Sequence, residues 1–146
     1  MQMTITKSFN ITISMMYLID MLSDKNAVAN IAVKDLEMAK RFYQDILGLQ
    51  LIVSNTPPEV IVFKSGNSMI IVYKSQYAGT NKATSMTWTV GDNIEEVVQA
   101  LKAKGITFEH YDIPNIKLEG DIHVDGNMKV AWFKDPDGNI LNLVNA

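Results

Sequence analysis

The two histidines of the chain, His110 and His123, are its clearest candidates for proton transfer. His110 follows Glu109 at the end of a predicted strand, where a neighbouring carboxylate can tune an imidazole as a general base. His123 lies in the predicted loop 112–126, and a long loop that carries glycines is a common lid over a binding cleft. We therefore consider these three side chains as candidates for acid–base catalysis. The alternatives are a surface histidine at position 110 and a solvated loop residue at position 123.

Metal chemistry has few candidate ligands in this chain. It contains no cysteine, which excludes disulfides, thiolate metal sites and a cysteine nucleophile. The residue types leave one alternative, a metal site built from Glu109, His110, Asp121 and His123. The sequence also lacks a glycine-rich phosphate loop, a Gly-x-Ser-x-Gly motif and a His-Glu-x-x-His motif.

The size and charge of the chain narrow its possible partners. A chain of 146 residues is long enough for one domain that buries about 68–70% of the surface of its unfolded state. A net charge of −3, with 13 scattered lysines and arginines, argues against nucleic acid as a partner. Polar residues interrupt the most apolar segment, 9–22, so we predict neither a transmembrane helix nor a membrane partner. The absence of cysteine is compatible with a cytoplasmic protein, which is the location we expect.

The segment from Trp132 to Leu143 is predicted to form a β-hairpin. Its two ends are apolar and β-prone, and the Asp-Pro-Asp-Gly sequence between them is typical of a tight turn. A similar order, with Phe-Lys, a turn and Gly-Asn leading into an apolar run, occurs at residues 62–72. We interpret the two hairpins as parts of a duplicated unit.

Each copy of this unit is predicted to be a βαβββ module. Module one covers residues 28–74, module two covers residues 84–144, and a linker at 75–83 joins them. In both modules an aspartate, Asp35 or Asp92, is expected to cap a helix that ends at a glycine thirteen residues later, Gly48 or Gly105. The strands are predicted at 28–34, 49–54, 59–64, 69–74, 84–90, 106–111, 128–134 and 139–144. This pattern predicts an α+β fold.

Residues 1–27 precede module one and are predicted to form an extension that contains an extra strand. Apolar and polar residues alternate closely between residues 3 and 15, which is typical of an amphipathic strand. Such a strand would pack against a sheet edge or a second subunit. The alternative is an upstream start codon, with Met16 or Met21 as the natural start.

Two segments are recognisable: Asp35 to Tyr43 followed by Leu47-Gly48-Leu49, and Trp132 to Leu143 with its Asp-Pro-Asp-Gly-Asn turn. Together they resemble the two signatures of the vicinal oxygen chelate superfamily, which includes glyoxalase I, extradiol dioxygenases, and fosfomycin- and bleomycin-resistance proteins. The resemblance covers residues 28–144 and implies paired βαβββ modules that form a curled mixed sheet with a U-shaped cleft. It also implies a homodimer in which modules are exchanged or abutted.

The resemblance also assigns positions to the metal ligands of the metal-dependent members, one on the first and one on the last strand of each module. Here those positions are Val28, Ile70, Ser85 and Asn142. None is His, Glu or Gln, and an alkyl side chain has no lone pair to offer a metal ion. We therefore predict no metal site and no cofactor, which disfavours glyoxalase, dioxygenase and fosfomycin-transferase chemistry of the usual kind.

By the same resemblance, four polar side chains on the predicted strands are expected to form the floor of a ligand pocket: Asn30, Ser85, Thr87 and Asn142. Trp132 and Tyr73 lie on strands that flank the cleft, where each is either a platform for a ligand or a core residue. For the polar floor, the alternative is a satisfied hydrogen-bond network without a ligand. Alternation along strand 84–90 supports this register, because it places Trp88 under the helix.

These observations predict a metal-independent protein that binds a small organic molecule, possibly a drug or antibiotic, and that resembles bleomycin-resistance proteins. The alternative is a metal-free isomerase or lyase of the glyoxalase superfamily that uses His110 or His123, with Glu109, as acid and base. In a third interpretation the N-terminal strand serves assembly and the cleft has lost its function.

Overall fold

A computed structural model of the chain describes residues 22–52 and 58–146, and the strand predicted at 3–15 lies outside these residues. The first sheet consists of β1 (Ala29–Val33), β2 (Gln50–Ile52), β3 (Val60–Ser65) and β4 (Ser68–Lys74), in the order β1-β4-β3-β2. β1 and β4 run parallel, and the other neighbours are antiparallel.

Helix α1 (Leu36–Lys40) follows β1 and continues as a π-helix (Arg41–Ile46). Asp35 caps its start as predicted, because its Oδ1 accepts hydrogen bonds from the N–H groups of Glu37 and Met38 at 2.9 and 3.0 Å. Gly48 follows the helix with a φ of 75°, which a residue with a side chain adopts only at a cost. The helical segment buries its apolar side against both halves of the protein.

The second sheet repeats the topology of the first and adds a hairpin. It consists of β5 (Thr84–Thr89), β6 (Phe108–Glu109), β7 (Lys117–Glu119), β8 (Ile122–Asp125), β9 (Met128–Lys134) and β10 (Ile140–Val144). The strand order is β5-β10-β9-β8-β7, and β6 also pairs with β9. As in the first sheet, the first and last strands of the module are parallel neighbours. The predicted α+β fold with two βαβββ modules is therefore confirmed.

Strands β7 and β8 replace most of the long loop that was expected at 112–126. They form an antiparallel pair in which Leu118 lies opposite His123, and β8 also pairs with β9. The loop prediction is therefore wrong for residues 117–125. Alternation of Ile122 and Val124 with polar residues is the period-two signal of this strand, and pairing with the long strand β9 stabilises it.

Helix α2 (Ile94–Ala103) begins after a 3₁₀ turn (Gly91–Asn93). The prediction that Asp92 caps this helix is wrong, because Asp92 lies within the turn and the cap residue, Asn93, makes no side-chain hydrogen bond to the helix. Gly105 ends this region with a φ of 93°, as predicted.

One apolar core joins the two modules. It is built from the helix-side faces of both sheets and from both helices, and its larger members are Ile31, Phe42, Tyr43, Phe63, Ile94, Phe108, Phe133 and Leu141. Trp88 packs against this core, as predicted, and its indole N–H donates to Ser65 Oγ of module one at 2.9 Å. No helix among residues 22–52 and 58–146 is long and apolar enough to cross a membrane.

Candidate functional site

The second sheet has one face on the core and one face directed away from it, which we call the open face. The ladder places Asn142 of β10 opposite Trp132 of β9 on one side and opposite Thr87 of β5 on the other. Trp132 is in turn opposite Glu109 of β6. Because residues paired across strands project to the same face, these four side chains form one row on the open face.

Two aromatic side chains beside this row complete a compact group. The rings of Trp132 and His123 meet edge to face, with centroids 4.9 Å apart, and Tyr111 meets Trp132 in the same way at 5.5 Å. His123 Nε2 accepts a hydrogen bond from the backbone N–H of Tyr111 at 3.0 Å, and the carbonyl oxygen of Tyr111 lies 3.1 Å from the same nitrogen. We call Tyr111, His123, Trp132 and Asn142 the Trp132 cluster.

Three polar atoms of the Trp132 cluster are buried without a hydrogen-bond partner. They are Tyr111 Oη, His123 Nδ1 and Asn142 Oδ1, and they are the buried side-chain atoms without a partner among the described residues. His123 is 2% exposed and Asn142 is 7% exposed. An unpaired buried polar group costs about 1–3 kcal/mol, so three of them on one sheet face are a large concentration of unsatisfied hydrogen-bonding capacity.

A pocket of about 320 Å³ lies at the edge of this cluster. Its lining combines Tyr111 and Trp132 with the end of the linker, the start of β5 and nearby aliphatic side chains, namely Lys82, Ala83, Thr84, Ile113 and Ile140. The Trp132 indole N–H donates to Thr84 Oγ1 at 3.1 Å, at the exposed margin of the pocket. Trp132 therefore lines the open pocket, whereas His123 and Asn142, which lie beside it on the sheet, do not.

Two other depressions of the described chain have a different character. One of about 440 Å³ lies between the edge strands β1 and β5 and is lined by small residues together with Ile70, Met86, Thr87 and Trp88. The other, of about 260 Å³, is an apolar gap between the helices, with Leu47, Val97 and Leu101 in its wall. Neither is lined by a buried polar atom that lacks a partner.

The predicted ligand-binding residues fall on two separate sheets. Thr87, Trp132 and Asn142 share the open face of the second sheet, whereas Asn30 and Tyr73 belong to the first sheet. There, Asn30 lies opposite Ile71, and Tyr73 lies opposite Ala32 and is 38% exposed. Within one chain, the structure therefore does not bring Asn30 and Tyr73 to the Trp132 cluster.

Ser85 lies at an irregularity of the sheet. Thr84 is opposite Ile140 and Met86 is opposite Leu141, so Ser85 has no partner position on β10. This bulge places Thr84, rather than Ser85, on the open face, where its hydroxyl accepts the hydrogen bond from the indole of Trp132.

The predicted acid–base residues also separate. His110 has a side chain that is 51% exposed, and its Nε2 lies 2.8 Å from Asp121 Oδ1, which also pairs with Lys102. Glu109 forms an ion pair with Lys134 at 3.2 Å. His123 is neither a lid residue nor a solvated loop residue, because β8 holds it in the buried part of the open face. The structure thus brings only His123 of the two histidines into the Trp132 cluster.

The position predicted for a cleft residue on β4 needs correction. Ile70 is 3% exposed and lies on the core face, opposite Phe63 and Ala29. Two residues separate the paired Ser65 and Ser68, whereas five separate the paired Lys134 and Ile140. Counting from the turn glycine therefore leads to opposite faces in the two hairpins, because side chains alternate with a period of two.

Ile71 is the residue of β4 that matches Asn142, since it neighbours Ile70 on the strand and so projects to the face away from the core, as Asn142 does. The corrected set of ligand positions is therefore Val28, Ile71, Ser85 and Asn142, which offers a hydroxyl and an amide but no imidazole or carboxylate. These residues do not fit the zinc, nickel, iron or manganese site of the metal-dependent members. In the described part of the chain, no three His, Asp or Glu side chains are grouped so that they could hold a metal ion.

Comparison with known proteins places this fold and its signatures in a family. The family model for the Glyoxalase/Bleomycin resistance protein/Dioxygenase superfamily matches residues 25–143. The chain belongs to this superfamily. The resemblance of its two signature segments is thereby confirmed. No curated protein is similar enough to the chain to count as a relative.

Solved structures of other superfamily proteins share the fold at low sequence identity. A glyoxalase family protein from Enterococcus faecalis has 23% identity and a TM-score of 0.64 over 85% of this chain and 99% of its own. A bleomycin-binding protein complexed with bleomycin has 20% identity and a TM-score of 0.61, over 84% and 98%. The fosfomycin resistance protein FosX from Listeria monocytogenes has 16% identity and a TM-score of 0.59, over 84% and 91%.

Two residues of the site were missed by sequence reasoning. Tyr111 lies two positions after Glu109, so alternation along that strand was an available signal. For Thr84 there was none, because alternation along β5 assigns it to the core face together with Met86 and Trp88. No pattern in the sequence predicts the bulge at Ser85 or the pairing of β8 with β9. These two features bring Thr84 and His123 to Trp132.

Proposed function

We propose that this protein binds a small organic molecule on the open face of the second sheet, at the Trp132 cluster, without a metal ion. The observation that carries the proposal is the concentration of three unpaired buried polar atoms around one tryptophan. Ligand sites typically combine an apolar or aromatic wall with a few convergent polar groups, and this cluster has both. The absence of cysteine is compatible with a cytoplasmic location.

Two further points support binding without a metal. The corrected metal-ligand positions offer two neutral side chains with weak donors, Ser85 and Asn142, and two alkyl groups. The superfamily also contains a bleomycin-binding protein with this fold, which makes a drug or antibiotic one candidate for the ligand. The identity of the ligand follows from experiment rather than from this similarity.

A fluorescence titration tests the proposal directly. The chain has two tryptophans, so the variant Trp88→Phe leaves Trp132 as the reporter at the site. We expect bleomycin or a simple aromatic compound to change Trp132 emission in a saturable way in the presence of EDTA. Binding that requires an added metal ion would contradict the proposed metal independence. The absence of any saturable change would contradict the proposal that the Trp132 cluster is a binding site.

The matched control is Trp132→Phe, which leaves Trp88 as the fluorophore. Trp88 lies on the core side of β5 and is hydrogen-bonded to Ser65, so its emission should not respond to a ligand on the open face. Calorimetry on the unmodified chain measures the same affinity if Trp88→Phe destabilises the core.

A metal-free isomerase or lyase is the second candidate function, and the position of His123 favours it. Its Nδ1 is buried in the Trp132 cluster without a partner, where it can exchange a proton with a bound molecule. Under this proposal, His123→Gln abolishes turnover of the ligand identified by the fluorescence titration and His110→Gln does not. Under the binding proposal there is no turnover to lose, and His123→Gln weakens affinity only modestly.

We further propose that the protein forms a homodimer through the face of the first sheet that is directed away from the core. This face carries Asn30, Val62, Ile71 and Tyr73 in paired positions, and it exposes apolar surface at Tyr73 and at the neighbouring Val28. Val62→Glu should shift the mass measured by sedimentation towards that of a monomer. Met38→Glu is the control, because Met38 is an exposed apolar residue of α1.

The contribution of residues 1–20 to assembly is tested by deleting them and repeating the mass measurement. An unchanged oligomer would remove the role proposed for the N-terminal strand.

A further inference from the structure

We propose that the Trp132 cluster takes an uncharged planar molecule that carries both a hydrogen-bond donor and an acceptor, such as an aromatic or cyclic amide, and that Trp132 moves aside to admit it. This inference rests on the proposed binding function and names the chemistry of the ligand. It follows from the hydrogen-bonding capacity of the three unpaired atoms, from the charges around them and from the position of the indole.

The first step concerns the proton of His123. Nε2 lies within hydrogen-bond distance of both the N–H and the carbonyl oxygen of Tyr111, but it can serve only one of them. A buried backbone N–H without an acceptor is rarer in proteins than a backbone carbonyl with a spare lone pair, so we assign Nε2 as the acceptor from the N–H of Tyr111. The neutral ring then carries its proton on Nδ1, and Nδ1–H is a buried donor that needs an acceptor.

The second step concerns the complementary atoms. Asn142 Oδ1 is a buried acceptor without a donor, and the Tyr111 hydroxyl can act in either role. A ligand can pair with His123 through an acceptor and with Asn142 through a donor. A primary amide offers an acceptor and a donor in one plane, and an attached ring can pack against the aromatic side chains of the cluster.

The third step concerns charge. All four members of the Trp132 cluster have uncharged side chains when His123 is neutral. Glu109, at the end of the row, is already compensated by Lys134 at 3.2 Å, and Lys82 lies at the exposed wall of the pocket. A charged group placed against His123 and Asn142 would be buried without a counter-ion, which is costly. The site therefore favours a neutral ligand over its acid or base analogues.

The fourth step concerns access. Nδ1 of His123 and Oδ1 of Asn142 are shielded from solvent, and neither residue lines the 320 Å³ pocket. Trp132, which contacts His123 and lies opposite Asn142, does line it. The exposed hydrogen bond from the indole N–H to Thr84 Oγ1 is the polar contact that retains it. Movement of the indole requires the loss of that hydrogen bond and of two edge-to-face ring contacts. A ligand that forms hydrogen bonds with the unpaired atoms of the Trp132 cluster offsets this cost.

A series of matched one-ring probes tests the ligand class. Benzamide is neutral with a donor and an acceptor, benzoate is its anionic analogue, benzamidinium is its cationic analogue, and ethylbenzene lacks polar groups. With Trp132 emission in Trp88→Phe as the readout at neutral pH, we expect benzamide to bind about tenfold or more tightly than the other three. Tight binding of a charged probe would overturn the inference but leave the proposed function standing. No saturable response to any probe would overturn both.

Variants at Asn142 test the role of that side chain. Asn142→Asp places a carboxylate in the Trp132 cluster. It should therefore reverse the preference for the neutral probe and make benzamidinium bind more tightly than benzamide. Asn142→Leu should weaken benzamide about tenfold without lowering the melting temperature, because it removes an unpaired polar group from a buried position. An unchanged probe order in the aspartate variant, or unchanged benzamide affinity in the leucine variant, would overturn the assignment.

A variant at Thr84 tests the movement of Trp132. Thr84→Val removes the hydrogen bond that retains the indole, so the fraction of open molecules and the apparent affinity for benzamide should rise a few-fold. Thr89→Val is the matched control at the other end of β5, away from the indole. Equal affinity in the two variants would overturn the proposed movement.

Discussion

The hydroxyl of Tyr43 donates a hydrogen bond of 2.9 Å to Oδ2 of Asp135, and both residues are buried. This bond ties the helical segment of module one to the β9–β10 turn of module two. The carboxylate also accepts from the backbone N–H groups of Asp137 and Asn139, and the Asn139 side chain continues the network to the carbonyl oxygen of Ala32. Residues of module one therefore hold the β9–β10 turn of the second sheet in place.

Removing the Tyr43 hydroxyl should destabilise the protein without emptying the core. We expect Tyr43→Phe to lower the free energy of unfolding by about 2 kcal/mol, because the buried carboxylate of Asp135 loses a charge-assisted hydrogen bond. Urea unfolding measures this difference. Tyr77→Phe is the control and should change stability by less than about 0.5 kcal/mol, since Tyr77 is an exposed residue of the linker. Equal effects of the two variants would contradict the role of the bond.

The same tyrosine predicts a loss of stability at high pH. Burial, and next the charge of Asp135, raise the pKa of Tyr43 above its ordinary value of 10.0. A group with a raised pKa contributes its full stabilisation below the pKa of the unfolded chain, and this contribution decreases as the pH rises above about 10. The free energies of unfolding of the wild type and of Tyr43→Phe should therefore become more similar as the pH rises above about 10. A constant difference between pH 8 and the alkaline limit would contradict this prediction.

Gly79 of the linker should not tolerate a side chain. Its φ is 70°, and an added Cβ would lie 1.8 Å from the carbonyl oxygen of Asp137. We expect Gly79→Ala to cost about 3 kcal/mol or more, because both the backbone conformation and the contact with the β9–β10 turn are incompatible with alanine.

Gly48 provides a matched control for this clash. It has a similar φ of 75°, but nothing lies within 4 Å of an added Cβ. Gly48→Ala should therefore cost only about 1 kcal/mol, which is the conformational part alone. Thermal unfolding of both variants separates the two contributions, and equal losses would argue against a steric role for Gly79.

Asp121 links α2, the end of β6 and the start of β8 at the surface. The hydrogen bond from Lys102, and next that from His110, lower the pKa of Asp121 below its ordinary value of 3.8. Its stabilisation is present above pH 3.8 and is lost as the pH falls through the lowered pKa. Asp121→Asn should lower the free energy of unfolding by at most about 1 kcal/mol at neutral pH. It should have no effect once the pH is below the lowered pKa of Asp121. Because His110 lies outside the Trp132 cluster, benzamide affinity should not change.

The fold was predictable to a large extent from local patterns. Asp35 marks the start of a helix through its capping hydrogen bonds, and Gly48 and Gly105 mark helix ends through a positive φ that few other residue types adopt. Alternation identified most strands. The duplicated hairpin then predicted two βαβββ modules, as observed. The β7–β8 hairpin was missed, because three-residue β7 has little periodicity and β8 depends on pairing with β9.

The site was predictable only in part. Strand alternation places Thr87, Trp132 and Asn142 on one face, because the period of two is a property of the extended backbone. The face of Ile70 could not be counted from the sequence, since one hairpin has two residues in its turn and the other has five. A difference of an odd number exchanges the two faces of the strand.

The sequence by itself determined the superfamily, the repeated module and the types of side chain available for chemistry, since these depend on local spacing. The tertiary structure decided which of them meet. Pairing of β8 with β9 brought His123 to Trp132, and the bulge at Ser85 brought Thr84 to the indole. The unpaired atoms of Tyr111, His123 and Asn142 likewise depend on burial by residues distant in the chain, which a linear pattern does not specify.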